Sequence, residues 1–134
     1  MKIPPAKIQI RFVDIDAMGH VNNAVYLSYF ENARMHYFKY ILGDDWDWEK
    51  DGIILLKNEV EYLKPIRLFH SVQVVVQVEH IGTKSFALSY KVQVNGEVYC
   101  KGMSTLVGYD NSNNVTIEIP SKMKEGLARL KEEQ

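Results

Sequence analysis

The spacing of apolar residues changes along the chain, and each change marks the boundary of a predicted element. Residues 8–13 alternate between apolar and polar side chains, which predicts a half-buried strand. Twelve of the eighteen residues from Val25 to Leu42 are apolar or aromatic, which predicts a helix that other parts of the chain surround. The apolar positions assigned to the strand are Ile8, Ile10 and Phe12.

Both predicted helices carry residue types that begin or end helices. Asn22 or Asn23 can cap the start of the long helix with a side-chain oxygen, and Gly43 can end it. Ser121 is expected to cap a last, shorter helix. The apolar residues of that last helix follow helical spacing and are Met123, Leu127 and Leu130.

Four strand-like runs lie between the two helices, and Asn95-Gly96 is a strong signal for a two-residue hairpin between the last two runs. An apolar helix must bury its surface against another layer, and the only layer that the predicted elements can form is a sheet. We therefore expect an α+β fold, in which an antiparallel sheet of about five strands wraps around a long central helix. The runs cover residues 53–63, 72–78, 86–94 and 97–109. In the first run the residues expected on one face are Ile54, Leu56, Val60 and Tyr62.

Composition narrows the class of protein. A chain of 134 residues predicts one domain over residues 1–134, and a net charge of −1 gives no basic patch for nucleic acid. Cys100 is the single cysteine, so no internal disulfide can form. The sequence has no stretch of eighteen consecutive apolar residues, so it predicts no membrane-spanning helix. We expect a cytoplasmic protein.

The segment from Asp14 to Tyr26, DIDAMGHVNNAVY, carries the candidate chemistry. It puts Asp16 and His20 beside the start of the long helix, where unpaired N–H groups and the helix dipole favour developing negative charge. Such a terminus can act as an oxyanion hole in acyl transfer, and a nearby carboxylate can be a general base or a nucleophile. A capped loop with solvated carboxylates would have the same composition.

The run DxDxxGHVNNxxYxxYxExxR resembles the signature of hotdog-fold thioesterases of the 4-hydroxybenzoyl-CoA thioesterase family, over roughly residues 7–120. A similar run occurs in acyl-acyl carrier protein thioesterases, and EYLKPI (residues 61–66) and GTKSF (residues 82–86) agree more loosely. The resemblance implies a hotdog fold that hydrolyses acyl-CoA, or acyl carrier protein, thioesters. The open edges of the predicted sheet and the short chain lead us to expect a homodimer or homotetramer. His, Cys and carboxylate residues show no metal-ligand spacing, so we expect no metal, and we expect no bound cofactor.

The resemblance also implies roles for individual residues. Asp16 matches the catalytic carboxylate, and the backbone N–H of Asn23 matches the group that polarises the thioester carbonyl. In the carrier-protein branch the motif histidine is catalytic and an asparagine follows two residues after the aspartate. Met18 occupies that asparagine position here, so His20 is expected to line the site or to bond the loop backbone instead of acting as a catalyst. The predicted substrate-binding residues are Gly19, His20, Asn23, Tyr26 and Ser85.

Other readings of these residues stay open. Asp14 can pair with Arg11 in a structural role, and Tyr26 can pack in the core instead of touching substrate. A second group of hotdog thioesterases carries its carboxylate inside the helix, where Glu31 lies here, although Glu31 can instead pair with Arg34. Two other functions of hotdog domains stay open: a non-catalytic acyl-CoA-binding protein, and an enzyme like enoyl-CoA hydratase, although hydratases lack the HVNN pattern.

Overall fold

The structure is a computed structural model that describes residues 2–134. Six antiparallel strands form one sheet in the order β1-β3-β4-β5-β2, and β6 pairs with β5. The strands are β1 Ala6–Ile8, β2 Gly52–Tyr62, β3 Val72–Ile81, β4 Ser85–Val94, β5 Glu97–Asp110 and β6 Val115–Ile117. The helices are α1 Tyr26–Leu42 and α2 Ser121–Glu133.

Helix α1 lies on the inner face of the sheet. The ring of Phe30 stacks on Tyr90 of β4, with ring centroids 4.3 Å apart. A Cβ atom at position 102 of β5 would lie 2.3 Å from the Phe30 ring, so glycine is required there for the helix to approach the sheet. The predicted arrangement of a sheet around a long apolar helix is confirmed.

The structure also confirms the predicted hairpin turn at Asn95-Gly96 and the predicted end of the long helix at Gly43. Asn95 and Gly96 both have positive φ angles, 51° and 81°, as a two-residue hairpin turn of the predicted kind requires. Gly43 ends α1 with a φ of 85°. The Asn22 side chain accepts a hydrogen bond from the Ala24 N–H, and a 3₁₀ turn over Asn23–Val25 leads directly into α1. Asn22, rather than Asn23, therefore caps this 3₁₀ turn, whereas Val25, at the N-cap of α1 itself, makes no side-chain cap hydrogen bond.

The first predicted strand is wrong beyond Ile8. Residues 12–14 form a 3₁₀ turn, and Phe12 is 83% exposed instead of facing the core. The cause is local, because the Asp14 carboxylate accepts hydrogen bonds from the backbone N–H and the guanidinium of Arg11 and so turns the chain. This also confirms the expected pairing of Asp14 with Arg11.

Two further expectations need correction. The pairing of β2 with β5 shifts register between Leu55 and Lys57, so the residues before and after this bulge change faces and Ile54 is 42% exposed. The predicted common face of Ile54, Leu56, Val60 and Tyr62 therefore does not exist. Ser121 is the first residue of α2 and makes no side-chain cap hydrogen bond.

Candidate active site

The loop between the 3₁₀ turn at residues 12–14 and the start of the central helix is tightly folded. Ile15 and Val21 form an isolated antiparallel bridge, and the Asp16 N–H donates to the His20 oxygen at 2.8 Å. Gly19 has a φ of 78°, the left-handed conformation that glycine adopts without strain. Its N–H donates a hydrogen bond to the backbone carbonyl oxygen of Asp16. The loop therefore holds Asp16 and His20 in a fixed relation to each other.

The Asp16 carboxylate has one occupied oxygen and one available oxygen. Its Oδ1 accepts hydrogen bonds from the Met18 N–H at 2.9 Å and the His20 N–H at 3.3 Å. Within residues 2–134, its Oδ2 accepts no hydrogen bond. Because the side chain is only half-buried, this second oxygen is accessible to a water molecule or to a substrate.

The start of the central helix presents an available donor beside this carboxylate. The Asn22 side chain and backbone oxygen accept from the N–H groups of Ala24 and Val25. The Asn23 N–H has no acceptor in the part of the chain that the structure describes. The Tyr62 hydroxyl donates to the Asn23 carbonyl oxygen at 2.7 Å and so fixes this peptide from the other side.

Four of the predicted site residues line one surface groove of about 220 Å³. Gly19 shapes the loop behind the groove, and Ser85 lies outside it, at the start of β4. The groove is lined by Asp16, His20, Val21, Asn23, Tyr26, Tyr62, Leu63, Lys64 and Pro65.

Tyr62 is a site residue that the sequence interpretation missed. Its ring packs edge-on against the ring of Tyr26, with the ring centroids 5.0 Å apart. Its hydroxyl donates the hydrogen bond to the Asn23 carbonyl oxygen. The available signal was EYLKPI, residues 61–66, which resembles the family but gives no role to any one residue. Lys64, also from this segment, lines the groove and forms an ion pair with Glu97.

Asp14 belongs to the same motif but not to the groove. It is 2% exposed, and its carboxylate accepts hydrogen bonds from Arg11 and from the Tyr29 hydroxyl, the latter at 2.8 Å. Burial raises the pKa of Asp14, but the hydrogen bonds from Arg11 and Tyr29 outweigh it and hold the pKa below its usual value. Its backbone oxygen accepts from the Asn22 N–H, which closes the base of the loop.

Residues 10–127 match the sequence profile of the thioesterase-like superfamily. The chain belongs to this superfamily. A thioesterase from Thermus thermophilus, crystallised with coenzyme A and Zn, is 36% identical with a TM-score of 0.84, and the alignment covers 96% of this chain and 93% of that one. The long-chain acyl-CoA thioesterase FadM of Escherichia coli is 23% identical over 129 residues, which are 92% of this chain and 96% of FadM.

A predicted thioesterase from Bacillus stearothermophilus has the same fold. It is 25% identical, with a TM-score of 0.84 and 94% of each chain covered. The hotdog fold and the enzyme class expected from the sequence, a thioester hydrolase, are confirmed. The narrower assignment to the 4-hydroxybenzoyl-CoA thioesterase family is consistent with these similarities and stays a prediction.

The structure also shows the environments of three other candidate residues of this thioesterase-like chain, Glu31, Tyr26 and Cys100. Glu31 is exposed on α1 and forms no ion pair with Arg34, so the alternative of a pairing within the helix is not realised. Tyr26 is buried, and burial raises its pKa to about 12, so its phenol is neutral near pH 7. Cys100 is buried, and burial likewise raises the pKa of its thiol to about 12, which removes it as a nucleophile.

Within residues 2–134, no group of three or more His, Cys, Asp or Glu side chains is arranged to hold a metal ion. No helix in this part of the chain is both long and apolar enough to cross a membrane.

Proposed function

We propose that this protein hydrolyses acyl-CoA thioesters to a free acid and CoA, with Asp16 as the catalytic carboxylate. The observation that carries the proposal is that an available carboxylate oxygen and an available N–H, those of Asp16 and Asn23, belong to one groove. The similarity to FadM, an acyl-CoA thioesterase, and to a thioesterase crystallised with coenzyme A supports CoA as the thiol. An acyl carrier protein thioester is the other substrate of this chemistry.

Hydrolysis would proceed by attack on the thioester carbonyl. Asp16 either takes a proton from a water molecule that attacks the carbon, or attacks that carbon itself to give a mixed anhydride that water then cleaves. The carbonyl oxygen gains negative charge, and the Asn23 N–H at the positive end of the helix stabilises it. The C–S bond then breaks, and the thiolate needs little acid assistance because a thiol has a pKa of about 8.5.

The other predicted site residues would orient the substrate. Gly19 allows the loop to close behind Asp16, while His20 and Tyr26 form walls of the groove next to the thioester. Ser85 would contact substrate held in the groove of a partner subunit. This mechanism includes no metal and no bound cofactor, since CoA is part of the substrate.

We propose that the working unit is at least a dimer, either a homodimer or a homotetramer of one-domain chains of residues 1–134. A groove of about 220 Å³ is smaller than the roughly 300–1,000 Å³ of common ligand sites, so a second subunit would complete it. Strand β2 is an edge of the sheet and exposes Ile54 and Leu56, as an edge that pairs with another chain would. The single cysteine fits a cytoplasmic location.

The test is a thiol-release assay over acyl-CoA esters that differ in chain length and aromatic character. Asp16→Asn should lower kcat by at least about 10²-fold, the lower range for a positioned acid–base group. Glu31→Gln is the matched control and should keep near wild-type kcat, at protein concentrations where both variants have the wild-type oligomeric state.

Each alternative assignment predicts a different result in this assay. An inactive Glu31→Gln beside an active Asp16→Asn would make the helix carboxylate the base. Tight acyl-CoA binding with no thiol release would favour the non-catalytic binding protein. Conversion of an enoyl-CoA to a hydroxyacyl-CoA without thiol release would favour the hydratase.

A further inference from the structure

The last residue of β2 reaches the start of the central helix. Tyr62 pairs with the buried Cys100 of β5, so its side chain points to the inner face of the sheet, where α1 lies. Two residues earlier on the same face, Val60 pairs with Gly102, whose missing side chain lets the Phe30 ring approach the sheet. This close contact between helix and sheet brings the turn that precedes α1 within reach of the Tyr62 hydroxyl.

Three hydrogen bonds hold the backbone around the available Asn23 N–H. Before this N–H, the Asn22 N–H donates to the Asp14 carbonyl oxygen, and the Asn22 carbonyl oxygen accepts from the Val25 N–H, both at 2.9 Å. After it, the Asn23 carbonyl oxygen accepts from the Tyr62 hydroxyl at 2.7 Å. The backbone is therefore fixed on both sides of the Asn23 N–H, while the N–H itself stays available to a substrate carbonyl.

Only one of these three bonds comes from a side chain, and that side chain is outside the motif segment. We propose that Tyr62 is a positioning residue, which holds the Asn23 N–H in the direction that meets the carbonyl oxygen of the substrate. The inference rests on the proposed function, because the N–H has this task only in thioester hydrolysis. A displacement of about 1 Å in a reacting group can lower a rate by about 10²-fold, so a bond that only positions the donor affects turnover.

The Tyr62 hydroxyl acts through Asn23 and not directly on the substrate. A phenol has one proton to donate, and Tyr62 uses it in the bond to the Asn23 carbonyl oxygen. Burial raises the pKa of Tyr62, so the phenol keeps this proton near pH 7. The Tyr62 ring packs edge-on against the ring of Tyr26, and this contact holds the hydroxyl in its direction toward Asn23.

The segment that follows Tyr62 supports the same role. The Ile66 carbonyl oxygen accepts from the Val21 N–H at 2.7 Å, so residues 62–66 contact the motif before Asn22 as well as after it. The N–H groups of residues 63–64 both donate to the Tyr99 carbonyl oxygen, at 2.9 and 3.0 Å, and this ties the segment to β5. The oxyanion donor is thus held against the sheet, and Tyr62 makes the contact nearest to it.

The experiment measures thiol release by Tyr62→Phe, with the acyl-CoA ester that the wild-type chain hydrolyses fastest. Phenylalanine keeps the ring and removes only the hydroxyl. We expect kcat to fall about tenfold at unchanged KM, a smaller loss than the roughly 10²–10³-fold for removing an oxyanion donor itself. The pH dependence of kcat should keep its position, because Asp16 is not altered. Tyr40→Phe, outside the groove and 45% exposed against 43% for Tyr62, is the control and should keep the wild-type kcat and KM.

The inference is overturned if Tyr62→Phe has the same kcat as Tyr40→Phe. It is also overturned by a raised KM at unchanged kcat, which would make Tyr62 a substrate-binding residue, or by a displaced pH profile, which would mean that it acts on Asp16. If the wild-type chain releases no thiol from any ester, the proposed function fails, and NMR then tests the contact alone. The amide nitrogen of Ala24 shares a peptide with the Asn23 carbonyl, so its signal should shift in Tyr62→Phe and not in Tyr40→Phe; an unchanged signal in both would overturn the inference.

Discussion

Asp14 and Asp16 are two residues apart in one motif, but their carboxylates lie in opposite environments. Asp14 is buried, and both of its oxygens accept hydrogen bonds from Arg11 or Tyr29. Asp16 is half-buried, and it uses one oxygen for two N–H groups of its own loop. The difference separates a carboxylate that holds the loop in position from one that the loop presents to the groove.

The comparison explains why the motif needs both residues. Asp14 connects the loop to α1 through Tyr29, and its backbone oxygen receives the Asn22 N–H at the start of the helix. These contacts set the distance between Asp16 and the Asn23 N–H without using either group. Replacing each carboxylate by its amide should therefore affect different properties, and the free energy of unfolding distinguishes them.

The largest expected change in stability belongs to Asp14→Asn. An amide retains one acceptor oxygen but directs an NH₂ group at donors, and it loses the charge that strengthens the bonds from Arg11 and Tyr29. We expect a loss of about 2–3 kcal/mol in the free energy of unfolding, the range for hydrogen bonds to a buried charged group. Urea unfolding at pH 7 measures it, and a loss under about 0.5 kcal/mol, the size of an ordinary surface substitution, would contradict the structural role of Asp14.

Tyr29→Phe should have the next largest effect. It removes one hydroxyl and leaves Asp14 with its bonds from Arg11, so about 1 kcal/mol of stability should be lost. The same substitution in the Asp14→Asn background measures the coupling between the two side chains. Additive losses would mean that the hydroxyl and the carboxylate do not stabilise the loop together.

A smaller effect is expected on the pH dependence of stability in acid. The pKa of Asp14 is below its usual value, so its contribution to stability is complete above the pKa of the unfolded chain and is lost as the pH falls through the folded pKa. From about pH 4 downward, wild-type stability should therefore fall more steeply than that of Asp14→Asn. Thermal melts over this range test it, and parallel curves would show that Asp14 is not the titrating group.

Local residues made much of the fold predictable. The hairpin at Asn95-Gly96 and the helix end at Gly43 depend on backbone conformations that those residues supply themselves. The errors came from effects that spacing does not encode. The bulge after Leu55 depends on the pairing register between β2 and β5, a strand about fifty residues later in the chain. The turn at residues 12–14 depends on the hydrogen bonds that the Asp14 carboxylate accepts from Arg11.

The candidate site was predictable for a similar reason. Asp16, His20 and Asn23 lie in one short segment, so the sequence alone brings them together. Tyr62 reaches Asn23 across 39 residues of chain, and no spacing predicts that hydroxyl. Arg34 shows the opposite case, because its position in the helix was clear from the sequence, but only the structure shows that no carboxylate within residues 2–134 forms an ion pair with it.

The smallest expected change in stability belongs to Asp16→Asn. The amide oxygen of asparagine can accept the same two hydrogen bonds, from the Met18 and His20 N–H groups, and asparagine is as suited as aspartate to such loops. We expect the free energy of unfolding to stay within about 0.5 kcal/mol of wild type, as for most exposed substitutions. Urea unfolding beside the Asp14→Asn variant measures it under identical conditions. A loss as large as that of Asp14→Asn would make Asp16 a second structural carboxylate, and a fall in kcat could then no longer be assigned to chemistry.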